Sequence, residues 1–225
     1  MKTSIPKSTR HLSDTWHKVR LGDIASIISG GTPSTKNSEN YNGEISWITP
    51  RDLSSHNERY ISYGERSITQ KGLDSSSAKL LPPNTVLFTS RAPIGYIAIA
   101  KNEVATNQGF KNLILQEGNE PEFFYYLLKH ITPTIKSYAS GSTFLEISKS
   151  VLKSIEVIIP SSKLQKAIAH ILGTLDDKIE HNQKKITVLE EIAKAIFKSW
   201  FVDFDPVYAK AKNPSFPPLP NCQTI

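Results

Sequence analysis

The stretch IEVIIPSSKLQKAIAHIL, residues 155–172, contains the change in hydrophobic pattern that divides this chain. Before Pro160 the apolar residues stand in short, β-branched runs separated by turn-forming residues, which is the pattern of strands. After Pro160 they recur every three or four residues, which is the spacing of one helix face. We therefore predict an α+β fold, in which a mixed α/β domain over residues 1–160 precedes a long, coiled-coil-like helix.

The mixed domain is predicted from its short apolar runs and its turn residues. A helix is expected over 121–130, because this segment begins with proline and has helical spacing. Ser142 and Thr143 with Glu146 resemble a capping box, which predicts a second short helix over 145–154. Trp47 is assigned to the core rather than to a stacking surface. The predicted strands are 24–28, 45–48, 86–89, 96–100, 113–115 and 155–159.

Downstream of Pro160 the apolar residues follow alternating steps of four and three, the a/d seam of a coiled coil. Capping boxes at Ser162/Gln165 and Thr174/Asp177, with Gly173 as a C-cap between them, predict a helix boundary near Gly173. Asn182 occupies the one polar position of the seam. The apolar members are Ile168, Leu172, Leu175, Ile179, Ile186, Leu189, Ala193, Ile196 and Trp200.

This seam predicts that residues 161–204 form a helical spacer that pairs with a partner helix, in the simplest case that of a second copy. The alternative is an amphipathic helix that folds back on its own domain. Residues 205–225 contain five prolines. Because proline interrupts helices, we predict an extended or disordered tail there.

Composition excludes several classes of protein. The chain has 225 residues, a single cysteine and no apolar run near the roughly 18 residues that span a bilayer. Disulfide scaffolds, export and membrane insertion are therefore disfavoured, and we expect a cytoplasmic protein. A net charge of +6 favours polyanionic partners without identifying one.

Catalytic signatures are missing from the sequence. It has no GxxxxGK[ST] phosphate loop, no GxGxxG, no HExxH and no GxSxG, and its six histidines are scattered. Asp176 and Lys178 have the spacing that ends some nuclease motifs. At the start of a predicted helix, however, an acidic residue is ordinary compensation of the helix dipole. We predict no catalytic residue, no metal and no cofactor in this chain.

Several phrases of the sequence occur together in a characteristic order. They begin with RLGDI at 20–24, GGTPS at 30–34 and ISWITPRDL at 45–53. LLPP at 80–83, TSRAPIG at 89–95, NQGFK at 107–111 and GSTF at 141–144 follow. In this order they resemble the target recognition domain of type I restriction-modification specificity subunits. The phrase WFVDFDP at 200–206 resembles the central spacer of the same family.

The resemblance implies a non-catalytic subunit that reads one half of a bipartite site in double-stranded DNA. It also implies modification subunits, which would methylate adenine with S-adenosylmethionine, and restriction subunits, which would use ATP and Mg²⁺. Family members typically carry two recognition domains, held apart by paired helices that also bind modification subunits.

One domain and one helix suggest a half-size form of such a subunit. Two copies that pair antiparallel helices would then present a palindromic, bipartite reading surface. The alternative is a non-reading helical adapter of the same ancestry that dimerises with other specificity subunits. A truncated product or a recombining cassette also stays open.

Candidate DNA contacts are the cations and amides in the predicted loops. Arginine can pair with guanine through two hydrogen bonds, Asn and Gln can do so with adenine, and lysine suits phosphate. Arg51 and Arg91 are therefore predicted base contacts, and Lys71 and Lys111 phosphate contacts. Solvated loops, or bracing turns at 89–91 and 107–109, are the alternatives. The full candidate set is Lys36, Arg51, Arg59, Arg66, Lys71, Arg91, Asn107, Gln108 and Lys111.

Overall fold

The computed structural model describes residues 16–141 and 145–212, and it has the predicted α+β class. The chain divides into two compact units, of which the first ends at Asp176 and the second begins at Asp177. The first unit therefore includes the opening turns of the long helix as well as the mixed domain.

The strands of the first unit form three sheets. The five-stranded sheet has the order β2-β9-β6-β7-β4, the three-stranded sheet β5-β3-β8, and the two-stranded sheet pairs β1 with β10. Pairing is antiparallel except between β3 and β8 and between β4 and β7. The strands are β1 (Trp16–Arg20), β2 (Ala25–Ser29), β3 (Tyr41–Ile48), β4 (Tyr60–Ile61), β5 (Arg66–Ile68), β6 (Val86–Ser90), β7 (Ile94–Ala100), β8 (Ala105–Thr106), β9 (Lys111–Leu115) and β10 (Glu156–Pro160).

Short helices connect these strands, and one long helix follows the last of them. A 3₁₀ turn spans Ser38–Asn40, and a π-helical turn spans Lys198–Val202. The α-helices are α1 (Leu21–Ile24), α2 (Pro50–Ser54), α3 (Gln70–Asp74), α4 (Pro121–Ser137), α5 (Lys149–Ser154), α6 (Ser162–Phe197) and α7 (Asp205–Lys212).

The core lies on both faces of the five-stranded sheet. Every residue of β6 is buried, which explains why its sequence, VLFTS, lacks the alternation of a half-exposed strand. Phe88 packs in one cluster with Phe124 and Leu128 of α4. Leu87 belongs to a second cluster with Ile48 and Phe110.

All six predicted strands are present, with shifts of a few residues at their ends. The predicted helix at 121–130 is longer than expected and continues through Pro133 to Ser137. Proline removes one backbone hydrogen bond, but Thr132 and Ile135 on either side of it are buried. The packing of these two residues therefore outweighs the unfavourable effect of proline inside a helix.

The predicted helix at 145–154 begins later than expected, at Lys149. Ser148 is its N-cap, and the Ser148 hydroxyl accepts a hydrogen bond from the Val151 amide at 3.2 Å. Glu146 is instead extended, and its amide donates to Ser140 O at 2.9 Å. Ser142 and Thr143, the other members of the predicted capping box, lie outside the described residues.

The predicted helix boundary at Gly173 is wrong, because α6 runs unbroken from Ser162 to Phe197. Gly173 is buried, and an added Cβ would collide with Nη1 of Arg59. Thr174 does not cap a helix, since its hydroxyl donates to His170 O at 2.7 Å within α6. Glycine is thus required at this position by a close contact.

The predicted capping role of Gln165 is also wrong. Its carboxamide Nε2 donates to Pro160 O at 3.0 Å, and its Oε1 accepts from the Glu120 amide at 3.0 Å. The side chain is buried, with both ends engaged. Gln165 therefore attaches the first turns of α6 to the segment that precedes α4.

We expect Gly173→Ala to lower the free energy of unfolding by about 1–3 kcal/mol, the usual effect of overpacking a filled site. Thermal unfolding monitored by circular dichroism measures this change. Thr174→Ala, at the next and exposed position of the same helix, is the control and should change stability by less than about 0.5 kcal/mol. Equal stability of the two variants would contradict the close contact between Gly173 and Arg59.

In its described part the second unit is helical except at Asp203 and Phe204. The prediction of an extended or disordered tail is wrong for residues 205–212, which form α7. Pro206 lies in the first turn of that helix, where its missing N–H has no intrahelical partner to lose. Residues 213–225 lie outside the described part of the chain. Among the described residues, no helix combines the length and apolar character that crossing a membrane requires.

Candidate nucleic-acid interface

Four of the sequence phrases meet at one end of the sheets through backbone hydrogen bonds. The Gly31 amide donates to Thr106 O at 2.9 Å, and the Asn107 amide donates to Ile48 O at 3.0 Å. The Ser90 amide donates to Gly109 O at 2.7 Å. These hydrogen bonds join turns near Gly31, Ile48, Ser90 and Asn107, which are far apart in sequence. We call this group of turns the frame of braced turns.

Asn107 is part of this frame rather than of its surface. Its Oδ1 accepts a hydrogen bond from the Gly109 amide at 2.9 Å, so the side chain closes its own turn. A Cβ added at Gly30 would overlap Asn107 O, so the two turns are in direct contact. The bracing alternative is correct for Asn107. Gln108, at the tip of the same turn, is exposed.

The Glu146 carboxylate forms ion pairs with two of the candidate cations. Lys111 Nζ donates to Glu146 Oε1 at 3.0 Å, and Arg91 Nη1 lies 3.7 Å from Glu146 Oε2. The Lys111 side chain is only 7% exposed, and its ammonium also lies 3.4 Å from the hydroxyl of Ser90. Burial and these contacts argue against the predicted phosphate contact at Lys111, whereas Arg91 is partly accessible.

Arg59 is likewise buried, which argues against the predicted DNA contact at this residue. Its Nη1 lies 3.4 Å from Glu122 Oε1, which also accepts a hydrogen bond from the Tyr60 hydroxyl at 2.8 Å. Burial, together with this bond to a carboxylate, raises the pKa of Tyr60. Arg59 therefore connects β4 to α4, and it packs against Gly173 of α6.

Arg66 is the candidate whose surroundings best suit recognition. It is exposed, and its guanidinium carbon lies 4.8 Å from the ring centre of Tyr41 and 5.5 Å from that of Trp47. Trp47 is buried, as predicted, and donates to Gly31 O at 3.0 Å. Stacking on fixed rings orients the guanidinium without consuming its N–H groups.

Arg51 is displayed by a capped turn that the sequence analysis missed. Asp52 Oδ2 accepts from the Thr49 amide at 2.7 Å, and Asp52 Oδ1 accepts from the Glu65 amide at 2.8 Å. The signal was present in the spacing Thr49-Pro50-Arg51-Asp52, which is that of a capping box with proline in the first turn. Arg51 is exposed on this short helix, 3.8 Å from Glu65.

The two remaining lysines of the candidate set are exposed. Lys36 lies in the turn that precedes the Ser38–Asn40 segment. Lys71 forms an ion pair with Glu39, and this hydrogen-bonded cation lowers the pKa of the Glu39 carboxyl. In the described ranges, no group of three or more His, Cys, Asp or Glu side chains is arranged to hold a metal ion.

One known protein family matches most of this chain, including the frame of braced turns. The sequence model described as "Type I restriction modification DNA specificity domain" matches residues 13–191. The chain belongs to this DNA specificity domain family. The match covers the braced turns, α4 and most of α6, so the resemblance seen in the short phrases extends over the mixed domain and into the helix.

Individual relatives of this specificity-domain chain are specificity subunits of type I restriction enzymes. The MjaIX specificity subunit of Methanocaldococcus jannaschii is 47% identical over 193 residues, which cover 85% of this chain and 45% of that protein. The HindI specificity subunit of Haemophilus influenzae is 29% identical, over 79% of this chain and 39% of its own length. The chain thus spans less than half the length of these two relatives.

Solved structures share the fold of this specificity-domain chain. The S subunit of the type I restriction-modification system of M. genitalium superposes with a TM-score of 0.64 at 20% identity, over 93% of this chain and 52% of that one. The HsdS subunit of Thermoanaerobacter tengcongensis gives a TM-score of 0.59 at 20% identity, over 87% of this chain and 47% of its own.

The seam residues of the specificity-domain chain are packed or half-buried at the start of α6 and exposed further along it. Ile168 packs against the main core cluster, and Leu172 is half-buried. From Leu175 to Trp200 the large apolar members are 41–65% exposed, and Asn182 is exposed among them. The fold-back alternative fits the first turns of α6, which pack in the first unit. Between Leu175 and Trp200, the large exposed apolar residues that the seam did not include are Val188, Ile192 and Phe197.

Proposed function

We propose that this chain is a non-catalytic DNA-recognition subunit that reads one half of a bipartite site in double-stranded DNA. The observation that carries the proposal is the family match over residues 13–191, which includes the frame of braced turns. Partner subunits in the cytoplasm would carry out the methylation and cleavage reactions. Modification subunits would methylate DNA with S-adenosylmethionine, and restriction subunits would cleave it with ATP and Mg²⁺.

Recognition is assigned to residues 1–160, and within them to exposed side chains beside the frame. Arg66 is the first choice for a base contact, because its stacked guanidinium keeps its hydrogen-bonding edges for a guanine. Arg51, Arg91 and Gln108 are further candidates. Lys36 and Lys71 suit phosphates, since they are exposed point charges.

We expect Arg66→Ala to relax the sequence preference at one base pair by about 1–3 kcal/mol. Lys36→Ala should weaken binding to all sequences alike and reduce the salt slope by about one. A binding-site selection profile, recorded at several salt concentrations with the modification subunit present, measures both effects. Lys163→Ala, an exposed lysine of α6, is the control.

Comparing the melting temperature of each variant with its binding-site selection profile separates a role in DNA recognition from a role in the stability of the fold. If Arg66→Ala lowers the melting temperature and leaves the profile of the folded protein unchanged, Arg66 supports the Tyr41–Trp47 pair instead of reading a base. If Lys36→Ala and Lys163→Ala have equal effects, the phosphate contacts lie elsewhere.

Pairing is assigned to residues 161–204, with a second copy of the chain as the partner. The support is the row of exposed apolar residues from Leu175 to Trp200, since water disfavours a stripe of this length. A dimer would present two copies of the reading surface related by a two-fold axis. The adapter alternative predicts pairing of the helix with other specificity subunits and no DNA binding, so binding-site selection also distinguishes these two functions.

A further inference from the structure

An arginine and a glutamate lie side by side on the surface of the mixed domain. Arg51 Nε lies 3.8 Å from Glu65 Oε2, and the two side chains are 84% and 67% exposed. We infer that together they read one G·C base pair in the major groove, where Arg51 donates to the guanine and Glu65 accepts from the amino group of the cytosine. This inference rests on the proposed DNA recognition. It adds Glu65 as a specificity-determining residue and names the base pair that it reads.

The major-groove edge of a G·C pair is complementary to these two side chains. Guanine presents two acceptors, N7 and O6, and cytosine presents one donor beside them, its N4 amino group. A guanidinium supplies parallel donors, whereas an ionised carboxylate only accepts. In the described part of the chain, the ion pair engages Nε of Arg51 and leaves the two Nη groups for the guanine. Glu65 faces Arg51 with Oε2, so Oε1 can accept from the cytosine.

Asp52 fixes the backbone on both sides of this pair. Its Oδ2 accepts from the Thr49 amide at 2.7 Å and from the Thr49 hydroxyl at 2.6 Å, which closes the first turn of α2 around Arg51. Its Oδ1 accepts from the Glu65 amide at 2.8 Å. A Cβ added at Gly64 would lie 2.8 Å from Asp52 Oδ2, so only a glycine admits the carboxylate this closely. One carboxylate therefore holds the two backbone segments together.

The ion pair itself is too weak to explain this arrangement. At 3.8 Å the contact between Arg51 and Glu65 is longer than a hydrogen bond, and water and salt screen a pair that is this exposed. Each side chain can therefore exchange the other for a base at little cost in free energy. A fixed backbone with solvated side chains suits direct readout, because only the side chains must become ordered on binding.

The pair lies beside the frame of braced turns. Helix α2, which carries Arg51, begins just after Ile48, and the Ile48 carbonyl accepts from the Asn107 amide at 3.0 Å. Glu65 directly precedes Arg66, the stacked arginine that is the first choice for a base contact. The pair is therefore carried by the same scaffold as the other proposed DNA contacts.

The carboxylate makes this contact selective. If an A·T pair took the place of the G·C pair, Glu65 would face an acceptor, O4 of thymine, and Arg51 would face a donor, the N6 amino group of adenine. Both side chains would then meet a group of their own kind. Glu65 thus contributes to specificity by penalising the wrong base pair, which an arginine alone does less well.

Binding-site selection with the modification subunit present tests the inference. Arg51→Ala and Glu65→Ala should each relax the preference for the G·C pair about tenfold, at the same position of the site. Because Glu65→Ala removes a negative charge that faces phosphates, it should not weaken binding to unrelated DNA. Both residues are exposed, so the melting temperature should remain nearly unchanged.

Glu117→Ala is the matched control. Glu117 is an exposed acid that follows β9, whereas Lys111, next to the frame, begins that strand. The control therefore removes the same charge at the opposite end of the sheet. It should leave the selection profile unchanged.

The double variant Arg51→Ala with Glu65→Ala separates direct readout from positioning. If Glu65 contacts the cytosine itself, its removal relaxes the preference further in the Arg51→Ala background. If Glu65→Ala has no effect in that background, Glu65 acts only through Arg51, and the inference is overturned.

Each remaining outcome is decisive. A native sequence preference that Glu65→Ala leaves intact overturns the inference and leaves the proposed function standing. Effects of the two single variants at separate positions, or at an A·T pair, also overturn it. A native profile without any sequence preference overturns the proposed function, and this inference fails with it.

Discussion

Replacing Ile179 and Ile186 together by Asp is expected to convert the proposed dimer to a monomer, weakening self-association by at least about a thousandfold. A dimer would bury four isoleucines at these positions, and each contributes about 1.5–3 kcal/mol when it is removed from water. The substitutions also place four carboxylates in an apolar seam. Light scattering and sedimentation measure the change in mass.

The control for this experiment is His181→Asp with Thr187→Asp. These residues lie on the same exposed stretch of α6 but outside the seam, and they introduce the same acidic side chains. The control should remain a dimer. Both double variants should keep the melting temperature of the first unit, since none of the four residues belongs to it. A native chain that is a monomer at tens of micromolar would show that pairing through α6 is wrong.

The second large effect is expected at Glu146. Within the described part of the chain, Glu146→Ala leaves the buried ammonium of Lys111 with only the more distant hydroxyl of Ser90 as a partner. We expect a loss of about 3 kcal/mol, because removing one partner of a buried ion pair leaves an uncompensated charge. For a chain of this size, that loss lowers the melting temperature by about 6–12 °C.

Lys111→Met in the same background is the matched test of this mechanism. It removes the buried charge while it keeps most of the side-chain volume, so the double variant should be more stable than Glu146→Ala alone. A double variant that is less stable than either single variant would contradict the ion-pair explanation. If Lys111→Met instead weakened DNA binding uniformly at unchanged stability, the phosphate contact that the sequence suggested would be right after all.

Six of the strands and the long helix were predictable because each depends on a local pattern. The strand at Val86–Ser90 and the helix after Pro160 follow from runs and periods within a few residues. The family was predictable because the short sequence phrases contain the residues that hydrogen-bond the turns of the frame to one another. Gly31, Ser90 and Asn107 form the hydrogen bonds between its turns. These residues identify the scaffold without revealing the DNA sequence that it reads.

The candidate contacts were less predictable, because burial of a cation depends on a carboxylate that is distant in sequence. Arg59 pairs with Glu122, and Lys111 pairs with Glu146. Neither partner lies near its cation in the chain, so both cations resembled residues of solvated loops. Gly173 was misread for the same reason, since a glycine that admits a neighbouring side chain has no local signature that separates it from a C-cap.

In the function proposed above, this chain selects the DNA sequence at which its partner subunits act. Methylation mapping of a host that contains the cognate modification subunit, with and without this gene, tests that function. We expect the gene to add methylated adenines at a bipartite sequence with two inverted, identical halves, and Ile179→Asp with Ile186→Asp to remove them. An identical methylation map with and without the folded protein would contradict the proposed function.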